Sequence, residues 1–576
     1  MVPKKRSGTN SRAFACAYML VVVFSFAAVK RTSAQEPTAA RIEASEKEPQ
    51  NWLTYYGNYG AWSYSRLDQI TRANVKQLVP VWAFPTGFPP SSIPRWGLEA
   101  APLVMDGVLY LVGPQNHVFA LDAATGHFRW SYLYKLPEGN FAGERGARGL
   151  AMGQGKIFMG TQDNHVVALD LKTGKEVWKV EVENVFDCGC GITSSPLFVK
   201  DKVIVGVTGG ESAHRGYLSA FDAATGKLAW RFYTIPARGE PGSETWPGDS
   251  WKFGGGSTWL TGSYDPELNL LFWGVGNPSS DFYGEDRAGL NLYTDSLVAL
   301  NPDTGKLQWF FQETPHDTWD FDSAPEPVLI DVDQNGQKHR IIVHSSKNGF
   351  TYVYDRKTGQ LISSFPYLEY INWTKGLDEN GKPTGTIIPG AEKGYRFCPG
   401  VAGGRSFNHS AYSPRTGWWY TVAFEMCSDL QPEKKEVQEG DFWMGGRTID
   451  MPNPKVQPHI SAFDPLTGKK QWSFATKFVN VASLLGTAGD LIFSGDVEGF
   501  AFALDAKTGE KLWSFNTGAR IASAPISYSV NGRQYVAIAT GGGSFNENVV
   551  TKIWPEAEGH VGQSASTLFV FALPEK

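Results

Sequence analysis

Between Thr314 and Asp322 the chain sets three carboxylates, Asp317, Asp320 and Asp322, among His316, Trp319 and Phe321. Carboxylates in such company are costly to bury unless they meet a cation or exchange a proton. The segment therefore reads either as ligand and base or as a solvated acidic loop. Thr208-Gly209-Gly210-Glu211 follows the apolar stretch Val203–Val207 and puts a hard oxygen donor on a Gly-rich turn. Gly254-Gly255-Gly256-Ser257-Thr258-Trp259 and Gly274-Val275-Gly276-Asn277-Pro278 combine backbone that a flat ligand can approach, an indole to stack on and an amide oxygen. Each also has a plainer reading, as a solvated turn or a packing tryptophan. None decides the matter alone.

Something rigid must hold positions so far apart, and the sequence repeats on the right scale. The phrase Ala-Leu-Asp-x-x-Thr-Gly-x-x-x-Trp recurs at Ala120–Trp130, Ala168–Trp178, Ala220–Trp230, Ala299–Trp309, Ala462–Trp472 and Ala503–Trp513, with a weaker copy at Val353–Gly359. Each copy reads as a strand end, a tight turn closed by Thr-Gly, and a new strand opening near a tryptophan. Such units cannot bury both faces of a sheet alone and so stack into a solenoid or a propeller. Thr416-Gly417 is set aside, because Asn408–Glu425 resembles the hairpin Ser263–Gly276 rather than a linker. Leu568–Leu573 repeats the strand half of the phrase, and Val81-Trp82-Ala83-Phe84 supplies the missing half. Joining them makes eight units. The expectation is an all-β, eight-bladed propeller closed by its N- and C-terminal strands, one domain over residues 35–576, with the tryptophans packing between blades. The long intervals from Trp230 to Ala299 and from Leu361 to Ala462 are where function is expected on the ring.

Composition agrees: 63 Gly and 20 Trp in 576 residues suit turns and sheets better than helices. Residues 1–34 differ in kind. Lys4, Lys5, Arg6 and Arg12 precede an apolar run from Ala13 to Val29, and Thr32-Ser33-Ala34 leads to Gln35. That is the layout of a cleaved signal peptide; the run is short for the rival, an uncleaved anchor. No later stretch reaches membrane length. The leader holds six basic and no acidic residues, so its loss takes the net charge from −5 to −11. An acidic chain is a poor nucleic-acid binder and is free to attract a basic protein partner. Export makes disulfides reasonable among Cys188, Cys190, Cys398 and Cys427. Cys398 with Cys427 is the expected pair, while Cys188 and Cys190 are open to being bridged or free. No Cys-x-x-Cys-His occurs, which argues against covalent c-type haem.

Taken in order, these motifs and repeats resemble the methanol and ethanol dehydrogenases that depend on pyrroloquinoline quinone (PQQ), from about Trp52 to the C-terminus. The resemblance implies that Glu211 and Asn277 bind a metal ion and that Trp259 stacks on PQQ. Glu99, Arg148, Thr193, Gly210 and Ser257 match contacts to the cofactor's carboxylates and carbonyls. Asp320 matches the base that takes the alcohol proton while hydride passes to the quinone, whose carbonyl the metal polarises. Lys347 matches a basic residue beside the quinone oxygens. Asp320 and Asp322 complete the metal set. Asp322 stands where lanthanide-using members have Asp, and an added carboxylate balances a trivalent charge, so a lanthanide is expected over calcium. The chain also departs from the pattern. Ala142-Gly143 stands where the family has adjacent cysteines, Ser406 where it has a cofactor-contacting Asn, and Val481 where it has a pocket Trp. Smaller side chains there enlarge the expected substrate cavity beyond methanol.

The resemblance thus implies a periplasmic, PQQ- and metal-dependent enzyme oxidising small primary alcohols to aldehydes. A separate soluble cytochrome c would take the electrons. No integral membrane span is expected after cleavage, and a homodimer is left open. A polyol or sugar dehydrogenase on the same ring and a non-catalytic envelope scaffold are the rival readings. A scaffold has no use for Glu211, Trp259, Asn277 and Asp320 together.

Overall fold

Each repeat folds because one Asp side chain, or in one copy Asn, takes up the loose amides of the turn. Asp122 Oδ1 accepts from the Ala124 and Thr125 amides at 3.1 Å and from the Thr125 hydroxyl at 2.9 Å, while the Gly126 amide donates to the Asp122 carbonyl at 2.8 Å. The same turn is built on Asp170, Asp222, Asn301, Asp355, Asp464 and Asp505. Beyond the turn, Ala120 comes to face Trp130 across the sheet with a register shift beside it. The smallest side chain thus meets the largest, and the bulge adds twist.

The computed structural model describes residues 36–87, 98–137, 146–334, 336–388, 394–543, 547–562 and 565–575; the expected leader and the Ala142-Gly143 position lie outside them. Among the described residues there are eight sheets of four strands, one of which takes a fifth, short parallel strand, Tyr64–Ser65 against Leu485–Thr487. Two smaller sheets lie in the long interval after Leu361. Among the described residues the helices are short, and none is long and apolar enough to cross a membrane. Five of the eight sheets are each built from four consecutive strands, and a sixth adds Tyr64–Ser65 to its four. A seventh, over Ala411–Ala475, is interrupted by Met426–Pro432 and Gly446–Pro452, which belong to one of the smaller sheets. The eighth pairs Val79–Pro85 antiparallel with Thr567–Ala572, beside Arg533–Thr540 and Ile526–Val530.

The repeat tryptophan joins sheet to sheet. Trp82 lies against Gly126 in the turn of the next sheet, Trp130 against Gly174, Trp178 against Gly226, Trp230 against Gly305, Trp309 against Gly359, and Trp472 against Gly509. Trp513 donates from Nε1 to the Leu78 carbonyl at 3.2 Å, at the start of the strand that carries Trp82. One link uses a different residue. The weak copy has Ser363 in the tryptophan position, and the ring over the following turn at Gly468 is that of Phe365. The glycine is required because φ is +70° at Gly305 and an added Cβ would sit 2.6 Å from the Trp230 ring. Gly305→Ala is therefore expected to cost about 1–3 kcal/mol, as overpacked sites do. A fall in the urea midpoint measures it; an unchanged midpoint would mean the contact is soft.

A segment outside the repeats ties the sheets together. Tyr56 donates its hydroxyl to the Thr261 carbonyl at 2.8 Å, Tyr59 to Phe198 at 2.6 Å, and Trp62 Nε1 to Leu329 at 2.6 Å. Ser63 Oγ and His409 Nδ1 are 2.8 Å apart. Tyr56, Tyr59 and Ser63 are buried. The bridge Cys398–Cys427 forms as expected, and Cys188–Cys190 is bridged as well.

Candidate active site

The antiparallel ladders decide where the chemistry gathers. Glu99, Arg148, Thr193, Trp259, Asp320, Asp322 and Ser406 all lie just before the first strand of a sheet. Glu211, Asn277 and Lys347 lie just after a second strand. In an antiparallel pair the start of one strand and the end of its neighbour share an edge. Residues distant in sequence are thus delivered to the same ends of their sheets.

Two Gly-rich motifs interlock there. The Gly256 amide donates to the Asn277 carbonyl at 2.8 Å, Gly276 to Ser257 at 2.7 Å, and Thr258 to Val207 at 2.8 Å. Glycine is needed at position 210, where a Cβ would lie 2.6 Å from Asn277 Oδ1 and 3.2 Å from Ser257 Oγ. The Glu211 turn is braced from behind by the Cys188–Cys190 loop. The Thr208 amide donates to the Gly191 carbonyl at 2.9 Å, and Ser212 Oγ donates to the Gly189 carbonyl at 2.9 Å. Glu183 lies with these two cysteines, but bridged sulfurs offer no thiolate to a metal.

Carboxylate oxygens of Glu211, Asp281 and Asp320 lie within 4.8 Å of one another. Sequence reasoning missed Asp281, which sits four residues after Asn277 in a stretch with no motif of its own. Asn277 Nδ2 donates to Asp281 Oδ1 at 2.7 Å, while Asp281 Oδ2 is buried without a hydrogen-bond partner among the described residues. Lys347 Nζ bridges Asp320 Oδ1 and Asp322 Oδ2, each at 2.9 Å, and the Asn277 amide donates to Asp322 Oδ1 at 3.0 Å. The aromatic packing of Trp319, Phe321 and Trp373 seals this region. Asp320 itself is only 6% exposed and holds φ at +65°, a strained backbone for an aspartate. The Asp317 carboxylate holds the loop by accepting from the Trp319 and Phe321 amides at 2.9 and 2.8 Å.

Burial, reinforced by Asp322 and Glu211, lifts the Asp320 pKa well above the ordinary carboxylate range, although the Lys347 ammonium opposes the shift. Burial also raises Asp281, with Glu211, Asp320 and Asp322 adding to it. Asp317 is pushed up to about 6 by burial against its two amide donors. Acids that hold their protons this firmly suit two tasks, proton transfer and the binding of a hard, highly charged cation that displaces the protons.

Beside this cluster the residues suit a flat anion. Arg148 is 2% exposed and pairs with Glu99 at 3.0 Å. Its guanidinium carbon lies 5.2 Å from the Trp259 ring centroid and 5.0 Å from that of Phe407, while Nη1 has no hydrogen-bond partner among the described residues. A buried guanidinium with a spare donor over a half-buried indole fits a planar, carboxylate-bearing ligand. Thr193 Oγ1 donates to the Trp259 carbonyl at 3.3 Å and fixes that segment. The Ser406 amide donates to Asn408 Oδ1 at 3.1 Å; no hydrogen bond joins it to another expected site residue among those described. Val481 is fully buried in the apolar cluster that Trp259 packs against.

Comparison with known proteins points the same way. The glucose/ethanol/alcohol dehydrogenase β-propeller domain, a PQQ family, matches residues 52–366 and 475–536. The quinoprotein alcohol dehydrogenase PedH of Pseudomonas putida is 37% identical over 524 residues, covering 86% of this chain and 87% of that one. The lanthanide-dependent methanol dehydrogenase of Methylacidiphilum fumariolicum is 36% identical over 553 residues, covering 90% and 89%. Among solved structures, a europium-containing methanol dehydrogenase superposes with a TM-score of 0.85 at 35% identity over 93% of this chain and 100% of that one.

Proposed function

The chain belongs to the PQQ-dependent alcohol dehydrogenase family of oxidoreductases, and on that premise we propose that it is an exported enzyme oxidising small primary alcohols to aldehydes with PQQ and one metal ion. The observation that carries this reading is the convergence of Glu211, Asp281 and Asp320 within 4.8 Å. Glu211, Asn277, Asp320 and Asp322 hold the cation. Glu99, Arg148, Thr193, Gly210, Ser257, Trp259, Lys347 and Ser406 hold the quinone. Bound PQQ supplies a two-electron acceptor, and the cation a Lewis acid. Asp320 takes the hydroxyl proton of the alcohol at a carboxylate oxygen, which its buried position keeps apart from bulk water. Lys347 fixes the direction in which that carboxylate points.

Several finer points belong to the same proposal. A lanthanide is favoured over calcium, because the carboxylates of the site outnumber its single ammonium. The eight sheets are read as blades of one ring, closed where Val79–Pro85 pairs with Thr567–Ala572; the chain of docking tryptophans supports this. Residues 1–34 act as a leader cleaved on export to the periplasm, where a soluble cytochrome c takes the electrons. Protein reconstituted with PQQ and either La³⁺ or Ca²⁺ is expected to oxidise ethanol and longer primary alcohols with a dye acceptor and no NAD. Polyols and aldoses in the same panel define the substrate class. Lack of turnover with every alcohol and both cations would end the reading.

A further inference from the structure

We propose that Asp281 is a metal ligand and the residue that sets the preference for a trivalent cation; this rests on the cation site proposed above. Two oxygens bound to one hard cation at about 2.3–2.6 Å can lie no more than roughly 5 Å apart. The oxygens of Glu211, Asp281 and Asp320 satisfy that limit mutually. The second consideration is which carboxylate brings an oxygen with no other partner. Both Asp322 oxygens are engaged, one by Lys347 and one by the Asn277 amide. Asp281 differs. Its side chain is fully buried, Oδ1 receives the Asn277 amide group, and Oδ2 has no partner among the described residues.

That arrangement gives Asp281 two jobs at once. By accepting from Asn277 Nδ2 it turns Asn277 Oδ1 toward Gly210, beside the Glu211 turn. With Oδ2 it adds a fourth negative charge to those of Glu211, Asp320 and Asp322, of which Lys347 offsets one. Summed over these five side chains, the charge of −3 matches a trivalent ion and overcompensates a divalent one; the buried Arg287 behind Asp281 is faced in turn by Asp295 and Asp317.

Asp281→Asn is the informative variant. Its amide oxygen still accepts from Asn277, while its NH₂ cannot bind a cation. In PQQ-loaded protein freed of metal, titration calorimetry with Tb³⁺ and with Ca²⁺ is expected to show Tb³⁺ binding weakened roughly 10–100-fold and Ca²⁺ binding affected less. The Eu³⁺ luminescence lifetimes in H₂O and D₂O are expected to report one more coordinated water than in the parent. Asp281→Glu, which keeps the charge, should restore the parent preference, and it serves as the carboxylate-bearing arm if the Asn variant folds poorly. Unchanged hydration and an unchanged Tb³⁺/Ca²⁺ ratio in Asp281→Asn, with Glu211→Gln losing the ion, would overturn this inference alone. A parent protein that binds neither ion would overturn it together with the cation site.

Discussion

Asp320→Asn, saturated with PQQ and cation, should turn over alcohol about 10²–10⁴-fold more slowly than the parent chain, the usual contribution of a positioned general base. The amide is nearly the same size, so the aromatic packing of Trp319, Phe321 and Trp373 can survive the change. What is lost is a carboxylate oxygen able to take the alcohol's proton. Because Asp320 is also assigned to the cation, its occupancy must be checked by metal analysis at the concentrations used for kinetics. A kcat within about threefold of the parent, with metal and PQQ bound, would remove Asp320 from the chemistry.

Lys347→Met should be the more damaging change to the metal-free protein. The ammonium is buried and bonded to Asp320 and Asp322. Burial disfavours its charge, but the two carboxylates outweigh this and hold its pKa above the ordinary lysine value. Removing one partner of a buried ion pair costs roughly 3–5 kcal/mol, because the remaining charge is left uncompensated. The pH dependence follows from the direction of the shift. A carboxyl whose pKa is raised on folding favours the native state at low pH and loses that contribution as pH rises through the folded value. The deficit of Lys347→Met should therefore be small in acid and grow toward neutrality. In the metal-free protein the Asp320 carboxyl should also titrate at higher pH, since the group that opposed its rise is gone. Lys347→Arg should preserve both properties. Parent-like melting temperatures at pH 5 and pH 8 in Lys347→Met would contradict this account.

The repeat made most of the architecture legible, because the turn's hydrogen bonds, the facing alanine and the docking indole each demand a particular residue type. Where Phe365 takes the place of tryptophan the phrase breaks, and only packing reveals the substitute. Tyr56, Tyr59 and Trp62 gave no signal: their partners are single carbonyls on distant strands, and a carbonyl has no signature in sequence. The site behaved similarly. Glu211, Trp259 and Asn277 stand in Gly-rich phrases that announce close backbone approach, and Asp320 stands among aromatics. Asp281 follows two serines and has no such context; its meaning arises only when the chain brings it to Asn277 and Glu211. Phe407 was likewise invisible until the Arg148 guanidinium was seen to lie near its ring.

The pairing of Val79–Pro85 with Thr567–Ala572 has a consequence for biosynthesis. Thr86 hydrogen-bonds to Ser566, 480 residues further along, and Ser63 meets His409 across 346. At roughly 5–20 residues per second, a nascent chain waits about 25–100 s between making that early strand and making its mate. Throughout that interval the strand is an open edge, able to pair with a neighbouring polypeptide as readily as with its own missing partner. Chains halted early or trimmed of Thr567–Ala572 should thus accumulate as aggregates and not as shorter, partly working enzymes, and holding the precursor unfolded until release would be protective.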